Sequence, residues 1–390
     1  MSREEQDDSA VAQSAKSGLR FLLVNWRDPR NPEAGGAEVH LHEVARRMVA
    51  DGFFCVQVSH AFPGGSAEEV IDDVQVIRRG GKFLFNFTVW RNLRRWCKEY
   101  RIDAVLDDSN KIAFLTPWYC NRPIVLQLHH LFGRALFRET AWPMALYVLF
   151  FENLMPFCYR NTRVLTGSES SRREQVSKGF QRVDIAPEGV ELARYVLPNP
   201  PARKPELLLY VGRVKRYKGL DVLLQALAIL LPRKPGLRLA VAGSGDDVPR
   251  LKKLAAELDV ASSVDFLGFV SEAEKMKLYH EARVVVNSSL KEGWGLTSIE
   301  ANACGTPVVA TDVPGLCDSV RHGETGFLVP FGNAKAFSES LEQLLENSEL
   351  WQKFSDNGRR WAAKHSWEPA YIKTRDALLA AVEESHGRKV

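Results

Sequence analysis

Twice along this chain, short apolar runs alternate with segments of helical period, and a stretch with four prolines in nine residues, Leu197 to Pro205, separates the two series. Alternation of this kind specifies parallel sheets whose strands are joined by crossover helices. Four prolines so close together remove backbone donors and fix φ, so that stretch reads as irregular. The chain is therefore expected to be α/β, with two Rossmann-like domains facing a central cleft. At 390 residues it is long enough for both to have filled cores. The first series places strands at 21–25, 54–59, 74–77, 104–106, 124–128, 164–166 and 183–186. After the first of them Leu41, Val44, Ala45, Met48 and Val49 recur at helical period until Gly52. The second series places strands at 207–211, 237–242, 264–267, 284–287, 308–310 and 327–329, with Leu220, Leu223, Leu224, Leu227 and Leu231 on one helix face. The expected division is a disordered polar tail over 1–17, a first domain 18–197, a linker 198–205, a second domain 206–365 and a last helical segment 366–390.

Composition removes several classes. Basic and acidic residues are spread evenly over both halves and leave a net charge of only +4, so bulk charge gives no case for nucleic acid. Six scattered cysteines with no Cys-x-x-Cys fit reduced thiols in a cytosolic protein. Residues 1–17 carry no hydrophobic run of the kind a secretion signal needs, and the expected location is cytoplasmic. The apolar segment 141–159 contains two prolines, Glu152 and Asn153, and reads as a buried helix rather than a membrane span.

The chemistry concentrates in the second half. The run from Ser289 to Gly305 puts Glu292 and Glu300 around a Gly-x-Gly turn that opens a helix directly after an apolar strand. Such a loop brings backbone N–H groups and a helix N-terminus to one point, which attracts an anion such as phosphate. The two carboxylates beside it accept hydrogen bonds from hydroxyls. Diphosphate plus hydroxyls describes a nucleotide sugar. Arg213 directly follows the strand at 207–211, and Lys218 lies five residues on at the entry of the next helix. A planar fork and a point charge held at a sheet edge suit a diphosphate.

The set Gly212-Arg213…Lys218-Gly219, Gly243-Ser-Gly-Asp246, Glu292-Gly-Trp-Gly295…Glu300 and Gly305-Thr-Pro-Val-Val-Ala310 resembles the family-4 retaining glycosyltransferases of GT-B fold over the whole second half. The resemblance implies that Arg213 and Lys218 hold the donor diphosphate, that Glu300 bonds the ribose and that Glu292 faces the transferred sugar. It implies backbone contacts to the donor at Gly295, Leu296 and Thr297, and to the nucleobase in Leu267-Gly-Phe-Val270. In the first half Ala34-Gly35-Gly36-Ala-Glu38 matches a family loop near donor phosphate and acceptor, and His129 matches a histidine beside the reacting sugar. The family commonly has an acid after that histidine; here it is His130. Ser168-Glu-Ser-Ser171 resembles a stretch lining the cleft, and Glu188-Gly-Val-Glu191 stands where relatives usually have Asn-Gly-Val-Asp. The segment Trp26 to Arg30 is a candidate floor for the acceptor site. In sum, His129, Arg213, Lys218 and Glu292 are the expected catalytic residues, and Gly35, Gly36, Val270, Gly295, Leu296, Thr297 and Glu300 join the two cations in donor binding.

Partners follow from the same resemblance: a nucleotide-sugar donor and a glycan or lipid-linked acceptor. Between Arg78 and Arg101 eight basic residues and one acid interleave with Phe83, Phe85, Phe87, Trp90, Leu93 and Trp96. This segment is either a core helix with a solvated basic face or a contact with anionic lipid head groups at the inner membrane face; stacking of nucleic acid is a remote third reading. No Asp-x-Asp and no cluster of metal-ligand spacing occurs. No metal or cofactor is expected, and protein cations would neutralise the leaving diphosphate. A nucleotide-sugar epimerase, a sugar phosphorylase and a non-catalytic scaffold of this architecture are the alternatives.

Overall fold

The structure, a computed structural model, describes residues 18–387 except 111, 134, 135, 140 and 141; the expected tail 1–17 lies outside them. Two sheets account for the architecture. The first has eight strands in the order β3-β4-β2-β1-β5-β6-β7-β8. They are β1 (Arg20–Val24), β2 (Phe54–Ser59), β3 (Glu68–Ile71), β4 (Val74–Arg78), β5 (Ala104–Ser109), β6 (Ile124–Leu128), β7 (Arg163–Thr166) and β8 (Val183–Ile185). All pair in parallel except β3, which forms a hairpin with β4. That edge strand is absent from the sequence reading. Its turn is Asp72-Asp73, both at positive φ (47° and 62°), the conformation a tight two-residue hairpin requires.

Helices α1 (Gly36–Ala50), α2 (Phe85–Glu99), α3 (Trp142–Cys158) and α4 (Glu169–Ser177) connect this sheet. In α1 the buried positions Leu41, Val44, Ala45 and Met48 meet Phe21, Leu23 and Leu106 of the strands, and Gly52 follows its end at positive φ. Helix α3 departs from the expectation of a buried helix. Only Ala145, Val148, Glu152, Met155 and Cys158 are buried, while Trp142, Met144, Leu146, Tyr147, Phe150 and Phe157 are exposed. One helical stripe meets the sheet, and uniform hydrophobicity gave no periodic sign of which.

The second sheet is wholly parallel, in the order β11-β10-β9-β12-β13-β14. Its strands are β9 (Lys204–Val211), β10 (Arg238–Ala242), β11 (Val264–Gly268), β12 (Ala282–Asn287), β13 (Val308–Thr311) and β14 (Gly326–Val329). Strand β9 begins inside the stretch expected to be irregular. Pro205 is accommodated because the register against β12 jumps from Lys204–Ala282 to Leu208–Val284, a bulge that asks no ladder hydrogen bond of the proline. Around this sheet lie α5 (Leu220–Leu230), α6 (Val248–Glu257), α7 (Glu272–Glu281), α8 (Leu296–Ala303), α9 (Ala334–Glu346) and α10 (Ser348–Ala362).

The last helix, α11 (Glu368–Gly387), leaves the second sheet and completes the first. Ala370, Tyr371, Leu378 and Val382 are buried in one cluster with Phe21, Leu41, Met48 and Val125. Glu384 anchors its far end on Arg163 at 2.6 Å and Arg182 at 2.8 Å. The two sheets present the C-terminal ends of β5, β6, β9 and β12 to a shared cleft, the place where open α/β sheets bind ligands.

Candidate functional site

On the second-domain wall, Lys218 closes a short 3₁₀ turn, and its Nζ donates to Glu292 Oε1. Ser289 Oγ donates to the same oxygen at 2.6 Å. The two loops that carry this pair are zipped by Leu290 N donating to Tyr217 O at 2.8 Å and Ser288 Oγ to Lys218 O at 2.8 Å. Burial alone would lower the Lys218 pKa, but the Glu292 carboxylate outweighs it and raises the pKa. Arg213 stands exposed at the end of β9. Desolvation works against its charge, yet Tyr217, Glu38 of α1 and Glu292 together raise its pKa. An acid of the first domain thus acts on a cation of the second.

The expected phosphate loop has its form fixed by glycine. Gly295 is the N-cap of α8 at φ +89°, and a Cβ there would lie 2.6 Å from Ser319 Oγ. The N–H groups of Leu296 and Thr297 open the helix without intrahelical acceptors. Glu300, one turn further, is buried and held by three protein donors: Tyr195 Oη donates at 2.6 Å, Tyr279 Oη at 2.7 Å and Lys275 Nζ at 3.1 Å. None of these three donors was legible in the sequence, because Tyr195 precedes β9 while Lys275 and Tyr279 lie on α7. Val270 is half-buried just beyond β11.

On the first-domain wall, His129 ends β6 and is 3% exposed. Its Nε2 lies 2.7 Å from Asp108 Oδ1 and its Nδ1 3.4 Å from Glu188 Oε1. Burial opposes charge on the ring, but the two carboxylates prevail and lift its pKa to about 10. Its T-shaped neighbour His40, at 5.5 Å, is driven the other way, to about 4, by burial and then by the charge on His129. His130 is half-buried beside Phe132, and its Nδ1 lies 3.4 Å from where a Gly293 Cβ would be. Burial first, then Lys291, His129, Lys218 and Arg213, push it down to about 3. His130 therefore lies against the loop that carries Glu292. Gly35 caps α1, and its N–H is taken by Glu38 Oε2 at 2.7 Å; Gly36 is exposed beside Glu188.

The segment Trp26 to Arg30 is no open floor. Trp26 packs between Phe85 and Phe114, Arg27 pairs with Glu33 at 2.8 Å, and Asp28 is buried on Arg78 at 2.7 Å. These side chains turn inward because each has an internal partner of matching polarity. Ser168-Glu-Ser-Ser171 joins the walls instead. From α4, Ser170 Oγ bonds Asp318 and accepts from Gly315 N at 2.9 Å, and Glu174 pairs with Lys291 at 2.6 Å.

The rim of the first domain carries two exposed apolar faces. On α2, Phe85, Val89, Leu93 and Trp96 are buried, while Phe83, Leu84, Phe87 and Trp90 are exposed, Phe83 to 94%. Lys82, Arg91, Arg94, Arg95, Lys98 and Arg101 are exposed beside them. Residues 112–114 lie between α2 and α3: Asn86 Nδ2 donates to Ala113 O at 2.9 Å, and Ile112 packs on both the Phe85 cluster and the Ala145–Val148 cluster. Among the described residues no helix is long and apolar enough to cross a membrane.

With this geometry in place, similarity to known proteins can be read. Residues 198–361 match the family described as glycosyl transferases group 1, and residues 34–194 match Glycosyltransferase Family 4. D-inositol 3-phosphate glycosyltransferase of Pseudarthrobacter chlorophenolicus is 34% identical over 58% of this chain and 58% of its own length, so the chain spans a little over half of that relative. Sucrose-phosphate synthase from Thermosynechococcus elongatus superposes with a TM-score of 0.78 over 92% of this chain and 98% of that one, at 22% identity. HepE from Anabaena, solved with UDP and glucose, gives 0.72 over 93% and 100%, at 19% identity. The two-sheet GT-B fold is thus shared with solved glycosyltransferases, and the chain, whose first half matches the family-4 model and whose second half matches the group 1 model, belongs to the family-4 retaining glycosyltransferases.

Proposed function

We propose that this protein transfers a sugar from a nucleotide-diphosphate donor to an acceptor hydroxyl with retention at the anomeric carbon. The observation that carries the reading is the convergence of Arg213, Lys218, Glu292 and the open end of α8 on one wall, opposite His129 and His130. The donor diphosphate displaces Glu292 from Lys218 and lies between that ammonium and the Arg213 guanidinium. Glu292, released, accepts hydrogen bonds from the sugar hydroxyls, and Glu300 reaches the ribose with its remaining lone pair. Gly35 and Gly36 let the first domain approach the same phosphates. The acceptor oxygen attacks the anomeric carbon from the side on which the carbon–oxygen bond to the diphosphate breaks. The acceptor's proton passes to the departing phosphate oxygen, so charge on the leaving group is neutralised by two side-chain cations and that proton. No metal enters this scheme.

The acceptor is lipid-linked, and α2 with α3 seats the enzyme on an anionic membrane surface. Exposed aromatics interleaved with cations suit the interface between acyl chains and anionic head groups. Both faces flank residues 112–114, and that proximity supports an acceptor entrance on the same side. D-inositol 3-phosphate, named for the relative, is water-soluble and would make no use of it. A thermal-shift screen over UDP-, GDP- and ADP-sugars identifies the donor, since a ligand that binds only the folded state raises Tm. No shift with any of them would end the reading. Sedimentation with vesicles containing phosphatidylglycerol, but not with phosphatidylcholine alone, is the expected behaviour for membrane seating, and loss of sedimentation in Phe83→Ser/Trp90→Ser locates it.

A further inference from the structure

Glu188 is a charged group on the first-domain wall to which the scheme above gives no task. It lies after β8 in the Glu188-Gly-Val-Glu191 segment and is 7% exposed. Its Oε1 lies 3.4 Å from His129 Nδ1. Its Oε2 would be 3.9 Å from a Cβ on Gly36, and its Cγ 3.6 Å from one on Gly167, so it packs at contact distance against both turns. Across the ring, Asp108 Oδ1 lies 2.7 Å from Nε2, and its other oxygen accepts from Asn25 Nδ2 at 2.7 Å. A neutral imidazole has one N–H and one acceptor nitrogen. Two carboxylates on opposite edges need two N–H donors, so the ring between them is an imidazolium.

We infer that Glu188 is a positioning residue for sugar transfer: with Asp108 it clamps His129 as a double hydrogen-bond donor, fixing both ring orientation and positive charge at the cleft edge. The inference rests on the reading of this cleft as a glycosyltransferase site. A ring held this way is no general base, which agrees with a route in which the leaving phosphate takes the proton. Its contribution is a fixed positive charge next to the expected sugar position, and the clamp keeps it in place when the diphosphate arrives. The groups that face His129 are Asp108 from β5, Glu188 after β8, His40 from α1 and its neighbour His130; neither histidine supplies a competing charge near neutrality.

The test is Glu188→Gln, which keeps the shape and removes the charge. Histidine-ring NMR titration, assigned with His129→Gln, reads the clamp without reference to activity. We expect the proton affinity of His129 to fall by about tenfold or more, one pH unit of midpoint. The alkaline limb of the transfer rate should move down with it, and Glu188→Asp should restore most of both. An unchanged midpoint in Glu188→Gln overturns the inference, as does a lowered midpoint with an unmoved rate profile. If Glu188→Gln fails to fold, Glu188→Asp carries the same titration, and a midpoint equal to the parent's at reduced turnover argues against the clamp. A displaced midpoint in a protein that transfers no sugar from any donor overturns the proposed function instead.

Discussion

The two walls of the cleft hold their charges in opposite ways. On the donor wall, Arg213 is exposed and Lys218 has one carboxylate, Glu292, which it shares with a serine. On the proposed acceptor wall, His129, Asp108 and Asn25 are almost wholly buried and joined in sequence, each polar edge already spoken for. A cation whose single carboxylate is shared with a serine can change partners, because an incoming phosphate offers more oxygens than it displaces. A buried, saturated network is built to stay, since opening it strands charge away from water. Glu300 belongs to the donor wall in position but to the second kind in chemistry, with three protein donors on its carboxylate.

That contrast is open to attack at several points. The largest effect is expected at Leu378→Ala, which empties a fully buried site where α11 closes the acceptor domain. A cost of about 2–5 kcal/mol is typical. Thermal unfolding should show loss of the acceptor domain while donor binding survives; equal loss of both would mean that the walls are not separate units. Next come Arg213→Ala and Lys218→Ala, each expected to lower kcat by about 2–4 kcal/mol in barrier with little change in Tm. Lys215→Ala, which breaks an ion pair with the exposed Asp246, serves as control. A Tm drop without a rate defect would reverse the assignment of the donor wall.

Alkaline pH separates the walls differently. The folded pKa of His129, about 10, stands above its ordinary 6.5, so the folded state holds this proton more tightly. Its contribution to stability is full below pH 6.5 and is lost as pH rises towards 10. The slope is at most about 1.4 kcal/mol per pH unit from one proton. Lys218, raised from 10.5, loses nothing in that window. Denaturant midpoints measured from pH 7 to 10 should therefore fall, and fall less in His129→Gln; parallel curves would remove the buried imidazolium. The smallest effect is Tyr195→Phe, which takes one donor from Glu300 and should weaken nucleotide binding by about 1 kcal/mol in calorimetry. Tighter binding would mean that the tyrosine competes with the ribose.

Legibility in sequence follows the same division. Arg213, Lys218, Glu292 and the Gly295 turn lie on loops that each follow a strand, so spacing along the chain nearly specifies their meeting place. The His129 clamp was out of reach, because Asn25, His40, Asp108 and Glu188 come from four elements whose adjacency only the sheet order creates. His130 stands where the family commonly has an acid and is outside the expected catalytic set, yet it lies against Gly293 of the loop that carries Glu292. Strand positions were readable from apolar runs to within a few residues, whereas β3, acidic and half-exposed, gave no such run and was betrayed only by Asp72-Asp73. Helix α3 misled because its inward stripe contains Glu152 and its outward face contains Trp142 and Phe150. Composition normally points the other way.

The crossing of α11 has a consequence for biosynthesis. The first domain emerges from the ribosome before the second, but Leu41, Met48 and Val125 stay uncovered until α11 arrives, after the second domain has been made. At typical elongation speeds that interval is roughly ten to forty seconds. A nascent chain of this protein is therefore an obvious client for chaperones that recognise open apolar troughs, and its first-made half is the last to mature.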